Sequence, residues 1–467
     1  MAQWSYLPAF RPRGTASLPL QLAEHVQQDI RSGRLRPGDA LPSSRALAEA
    51  LELGRNTVSE AYRELALGGW IQVRPAGGTT VADPLPEADG AARPAATPAP
   101  AVRRGDLVAH SGLPDQRLQP SVVLARAYRR ALQRLERDPV HLPDPQGLPA
   151  LREGLAELLR RGRGFAVDPS QILVLPSLQF ATFLVIQALV KPGDRVACEA
   201  LGAPAVRQAI LRAGGILVPL PVDSQGADVE ALEQELRARP VKAVFLTPRC
   251  QYPTTVVLTP ERRAHLKRLA QRTPFWILEQ DPDGEIQYGG APIPSLAAED
   301  PSLEVVHLGV LSKLFAGNRR LGYLAAPAKL LGELRALRQL MDQHGDPALE
   351  GALAELLAEG SLRSHLLRMR ETSQVRRDTL VAALQAELGE VLRPVAPQGG
   401  MALWVPVDPK VDLEAWRRRA EAQRAVFTPG REFHWDGQAV SALRLGFAAH
   451  EPAELQELAR RLRAALP

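Results

Sequence analysis

Apolar residues in the first eighty positions recur at helical spacing. Leu22, Val26 and Ile30 share one face, and that run stops in the Gly/Pro-rich stretch RSGRLRPGD at 31–39. LPSSRALAEALEL (41–53) predicts a short helix capped by Ser43 or Ser44. Gly54 breaks it, and Arg55 or Asn56 opens a third helix with Val58, Ala61, Tyr62 and Leu65 facing inward. After Gly68-Gly69 the period changes from helical to alternating. WIQVRP and TTVA form a hairpin around Ala76-Gly77-Gly78. Helix, helix, turn, helix and hairpin are the parts of a winged helix-turn-helix.

Residues 83–106 carry five prolines and almost no large apolar side chains. Such a stretch cannot bury enough surface to fold and acts as a semi-stiff spacer. It separates a domain at 1–82 from one at 107–467. In the second, apolar runs at 171–176, 194–199, 242–248, 275–281 and 304–310 read as strands. Amphipathic stretches at 148–161, 180–190, 203–213, 227–238 and 260–271 read as helices between them. This alternation predicts an α/β domain with a mostly parallel sheet covered on both faces. From about 345, long helices (349–388) precede short strands (400–406, 440–447) and a last helix (451–465), a smaller α+β lobe. No internal repeat is visible.

Composition narrows the class. The 467 residues exceed one ordinary core, and 45% hydrophobic with 23% charged residues is globular. A net charge of +5 permits DNA binding without demanding it. Two cysteines, Cys198 and Cys250, make neither a disulfide framework nor a metal cluster. The start MAQWSYLPAF lacks a signal peptide's basic and apolar regions, and Phe180–Val190 is too short to span a bilayer. A soluble, cytoplasmic protein without membrane contact is expected.

The signposts at 18–82 resemble the GntR-type winged helix. That resemblance implies a recognition helix entering the major groove by its N-terminal end, where Arg55, Asn56 and Thr57 stand. Ser43, Ser44 and Arg45 open the preceding helix, where free N–H groups and the dipole favour a phosphate. Arg74 and the Gly77-Gly78 turn let the wing approach the backbone or minor groove. For Ser43 and Asn56, plain helix capping explains the residue equally well. Nine arginines against seven acids give residues 1–82 only +2, so affinity should depend on dimerisation.

Residues 107–467 resemble the fold-type I aminotransferase domain of MocR-type (GabR-like) regulators. The matching stretches include SGLPD (111–115), DPQGLPALREGLAELLRRGRG (144–164), LTPRCQYPTTVVLTPERR (246–263), SKLFAGNRRLGYLAAP (312–327) and LRLGFA (443–448). The resemblance implies pyridoxal phosphate as cofactor, with Lys313 after Ser312 as Schiff-base lysine and Arg320 on the phosphate. It gives Arg444 to an effector carboxylate. Other positions depart from the pattern. The acid that faces the ring nitrogen falls on Gln280, and the nearby tyrosine on Pro282 or Asp283. The stacking aromatic falls on Ala203, and the phosphate cup reads Pro176-Ser177-Leu178-Gln179. Val310 stands where Ser or Thr is usual, Cys250 for the His of SHQYPTG and Thr255 for its Gly.

These losses fall on cofactor contacts while fold motifs remain. The first reading is a homodimeric regulator that binds a double-stranded DNA operator and senses a small amino-acid-like or vitamin effector, pyridoxal phosphate included, through a degraded site. The alternative is a pyridoxal-phosphate-dependent aminotransferase with a DNA-binding appendage. A third makes the large domain a pure dimerisation scaffold.

Overall fold

The computed structural model describes residues 17–31, 35–67, 70–74, 78–82, 103, 105–109, 112–137, 144–300, 302–311 and 321–467. They form two compact units, 1–101 and 102–467.

In the first unit, α1 (Leu18–Arg31), α2 (Ser44–Ala50) and α3 (Arg55–Leu67) bury one apolar face each. Leu22, Val26, Ile30, Leu47, Val58, Ala61, Tyr62 and Leu65 form the shared core. Ser43 is the residue that caps α2, its hydroxyl accepting from Ala46 N at 3.1 Å, and Ser44 begins the helix. The Tyr62 hydroxyl donates to Pro42 O at 2.9 Å, tying α3 to the turn before α2. The wing has three strands in the order β1-β3-β2. Besides β2 (Ile71–Arg74) and β3 (Gly78–Val81), the two-residue β1 (Ala40–Leu41) pairs with β3. A strand that short has no alternation to read, so the pattern missed it.

The second unit opens with β4 (Leu107–Val108), α4 (Ser121–Glu136), α5 (Pro149–Arg163), β5 (Ile172–Leu175), α6 (Leu178–Leu189) and β6 (Arg195–Glu199). Then come α7 (Pro204–Arg212), β7 (Ile216–Leu220), the hairpin β8 (Val222–Asp223) and β9 (Gly226–Ala227), α8 (Val229–Ala238) and β10 (Ala243–Leu246). α9 (Pro260–Arg272), β11 (Trp276–Asp281), α10 (Leu296–Glu299), β12 (Val305–Val310) and β13 (Gly322–Ala325) complete the main sheet. Its order is β5-β13-β12-β11-β10-β6-β7, with β13 antiparallel to both neighbours and the other pairs parallel.

Apolar clusters cover both faces of this sheet, which is why its central strands read as continuous hydrophobic runs. Two strands escaped the pattern. β7 lies at the sheet edge and contains Pro219, and β13 is four residues long and begins with glycine.

α11 (Ala328–Met341), α12 (Pro347–Ala358) and the 28-residue α13 (Ser361–Leu388) lead into a smaller lobe. It contains β14 (Ala402–Pro406), α14 (Leu413–Ala422), β15 (Ala425–Val426), β16 (Thr428–Pro429), β17 (Ala442–Gly446) and α15 (Pro452–Ala464). Its sheet runs β14-β17-β16, over a core that includes Trp416, Leu384, Leu458 and Phe447. β4 pairs with β15 rather than with the main sheet. Leu107 N donates to Arg424 O at 2.9 Å, Ala109 N to Val426 O at 2.8 Å, and Gly446 N to Ala109 O at 2.6 Å. No helix among the described residues is long and apolar enough to cross a membrane.

Candidate functional site

The carboxyl ends of the parallel strands β6, β10 and β11 converge, where open α/β sheets commonly take ligands. β10 and β11 run in register, so Leu246 and Glu279 are neighbours and the next residues, Thr247 and Gln280, rim one hollow. Gln280, Ala203, Tyr252, Thr247, Glu199 and Arg207 line a cavity of about 10 Å3, room for about one water. A groove of about 1290 Å3 lies elsewhere, between α4, α5, α12 and α13. It is lined largely by leucine, alanine, glycine and charged side chains, and it gathers none of the predicted site residues. Chemistry therefore favours the small cavity.

Gln280 is buried, and its Nε2 donates to Thr182 Oγ1 at 3.1 Å. The Thr182 hydroxyl spends its own proton on Leu178 O at 2.8 Å, so toward Gln280 it can only accept. This fixes which end of the amide faces α6. Asp281 points to the opposite face of the strand, as alternation requires. Its Oδ2 accepts from Arg163 Nε at 2.7 Å and from Arg249 Nη1 at 2.6 Å. Arg163 Nη1 also donates to Glu285 Oε1 at 2.6 Å. Burial pushes the Asp281 pKa up, but the Arg249 and Arg163 charges outweigh it and hold the carboxyl well below the usual range. The cluster is packed around Gly284, where a Cβ would lie 2.1 Å from Asp281 Oδ2.

Glu199, at the end of β6, holds the next loop. Its carboxylate accepts from Thr247 N at 3.2 Å and Thr247 Oγ1 at 2.7 Å. Burial pushes its pKa up to about 7, the Thr247 hydrogen bonds pulling back only part of the shift. Arg207 donates through Nη1 to Gly202 O at 3.3 Å and Phe433 O at 2.8 Å.

Arg444 sits in mid-strand on β17, opposite Trp404 and Thr428, and is 3% exposed. Its guanidinium lies 4.8 Å from the centre of the Tyr252 ring. Tyr252 in turn meets Phe433 edge-on at 5.5 Å, and Phe433 meets Trp404 at 5.8 Å. Tyr252 thus stands between Arg444 and the Gln280 hollow.

A buried trio on the other face of β11 has the composition of a nucleophilic triad. Ser295 Oγ donates to Glu279, and His307 Nδ1 lies 3.1 Å from Glu279 Oε2. All three are 0% exposed, so the trio anchors the turn into α10 and meets no substrate.

Ser312, Lys313 and Arg320 lie outside the described residues, as does Gly77. In the winged unit, Ser43, Arg45, Arg55 and Asn56 are exposed, while Ser44 and Thr57 are half-buried. Arg74 ends β2 opposite Gly78, which has φ +81° at the start of β3. Arg55 and Asn56 begin α3, in the first turn, whose N–H groups have no partner within the helix.

The sequence reading missed Arg249, Arg163, Arg207, Thr182 and Glu199. One signal was present: Arg249 stands at the Ser of an SHQYPTG-like segment.

Pyridoxal phosphate needs an anion against its ring nitrogen when it acts as an electron sink. The described residues do not fit that demand. Gln280, which the resemblance places at the ring nitrogen, is a neutral amide already tied to Thr182, and the adjacent acid is held by two guanidiniums on the far face. Ala203 offers no ring to stack, and the hollow is about 10 Å3.

A winged helix joined to an aminotransferase-type fold defines a regulator with an enzyme-like domain. The comparisons agree. The chain belongs to the aminotransferase class I and II family over residues 113–462, with a bacterial regulatory gntR-family domain at 18–81. MocR of Rhizobium meliloti, named a rhizopine catabolism regulatory protein, is 30% identical over 96% of this chain and 94% of its own length. TauR of Rhodobacter capsulatus is 31% identical over 97% and 98%, and the pyridoxine biosynthesis regulator PdxR of Corynebacterium glutamicum 30% over 96% and 96%. The α-aminoadipate aminotransferase LysN of Thermus thermophilus superposes with a TM-score of 0.72 at 28% identity, over 78% of this chain and 92% of that one. The chain is a GntR-type transcription regulator with an aminotransferase-like domain.

Proposed function

We propose that the chain acts in the cytoplasm as a homodimeric repressor or activator whose aminotransferase-like domain senses a small amino-acid-like carboxylate and does not turn it over. The domain limits are those of the sequence: 1–82 for DNA, 83–106 as spacer, 107–467 for effector and dimer contacts. Arg55, Asn56 and Thr57 read base edges; Ser43, Ser44, Arg45, Arg74 and the Gly77-Gly78 turn hold the backbone. Arg444 takes the effector carboxylate, with the Tyr252 ring beneath its guanidinium. The observation that carries the reading is the exposed polar opening of α3, backed by a closed apolar core.

The test is selection from a random duplex pool with the full chain. A twofold or repeated site should be enriched, and Arg55→Ala/Asn56→Ala should lower affinity for it by about ten- to a hundredfold. Failure to enrich any sequence would sink the reading. A second reading, an aminotransferase with a DNA-binding appendage, is favoured by the likeness to solved aminotransferases and by Lys313, Ser312 and Arg320 matching cofactor positions. It requires amino-acid turnover that depends on Lys313.

A further inference from the structure

We infer that the cofactor's ring place in this domain is closed from within, with Arg249 as the residue that locks it, and that the regulator works without pyridoxal phosphate. Three observations converge. The amide at the ring-nitrogen position is oriented by a threonine whose hydroxyl has no proton to spare, so Gln280 is held rather than waiting for a ligand. The neighbouring carboxylate is not in reserve. Asp281 is gripped on one oxygen by Arg249 and Arg163, both buried, and Glu285 completes a neutral set of two cations and two anions. Turning Asp281 toward the hollow would strand two desolvated guanidiniums. The turn that carries the set has no slack, because only glycine fits at 284.

The hollow itself is stitched across. Arg207 joins α7 to the 430–433 turn of the smaller lobe through the Phe433 carbonyl, and Gly202 N donates to the same oxygen at 2.9 Å. About 10 Å3 remains, which a substituted pyridine ring cannot enter unless these contacts open. The buried charges balance among the chain's own side chains: a protonated ring nitrogen would find a neutral amide on one side and an acid already satisfied on the other.

This inference builds on the regulatory reading, yet the two fail separately, because DNA binding and cofactor uptake are measured apart. The full-length protein is titrated with pyridoxal phosphate while visible-edge absorbance and thermal midpoint are followed, with Lys313→Ala as control. Wild type should show neither a Lys313-dependent band nor a raised midpoint, and its affinity for the selected DNA should not change. Arg249→Ser/Gln280→Asp restores an acid at the ring nitrogen and loosens the lock. It should gain affinity for pyridoxal phosphate by at least about tenfold. A Lys313-dependent band in wild type would overturn the inference, as would a double variant that is folded by circular dichroism and gains nothing. If the double variant does not fold, the wild-type titration decides alone.

Discussion

At the residue scale the two best-defined strains are Thr255 and Glu199. Thr255 is β-branched yet has φ +63°, with its N–H on Gln251 O at 2.6 Å. Its left-handed backbone is what the family's glycine supplies at no cost. Thr255→Gly should therefore stabilise the second unit by about 1 kcal/mol, read as a shift of its denaturant midpoint. Glu199 is buried and titrates near 7, above its ordinary value of 4.5. The folded state then binds a proton more tightly than the unfolded chain. Stability should fall as pH rises from the ordinary carboxyl range through about 7 and level off above it, by on the order of 3 kcal/mol for this group. Glu199→Gln should flatten that part of the stability–pH profile; an unchanged slope would assign it elsewhere.

At the element scale, β13 lies with its backbone close against the start of α6. A Cβ on Gly322 would lie 2.5 Å from the Ser177 backbone carbon and 2.7 Å from Leu178 N. Backbone cannot step aside as a side chain can, so Gly322→Ala should cost about 1–3 kcal/mol or more, seen as loss of soluble protein or a lowered midpoint. The elements themselves were largely legible. Periodicity placed α1 to α3, β5, β6, β10 to β12 and helices α6 to α9 between them, because each buries a face long enough to repeat. It could not place β1, β7 or β13, which are short, edge-bound or interrupted by Pro and Gly. The site was half legible. Motif spacing picked out Gln280 and Arg444, whereas the Arg163–Asp281–Arg249 cluster joins residues 118 and 32 positions apart and has no period to betray it.

At the scale of the whole molecule, the winged unit has its own core and only a small positive charge. Residues 1–82 expressed alone should fold, but should bind the selected DNA at least about tenfold more weakly than the full chain. Equal affinity would remove the need for a dimer. The described chain resumes after the spacer in β4, and β4 is not part of the main sheet. It lies against β15, and the peptide that follows it is clasped by Gly446 of β17. Arg444 sits two residues away on that same strand. The chain that enters the second unit is thus anchored on the smaller lobe, first on β15 and then on β17, the strand that carries Arg444. If Arg444 takes the effector carboxylate as proposed, a shift of β17 would move the backbone group to which Ala109 O is bonded, and with it the point where the second unit holds its first strand.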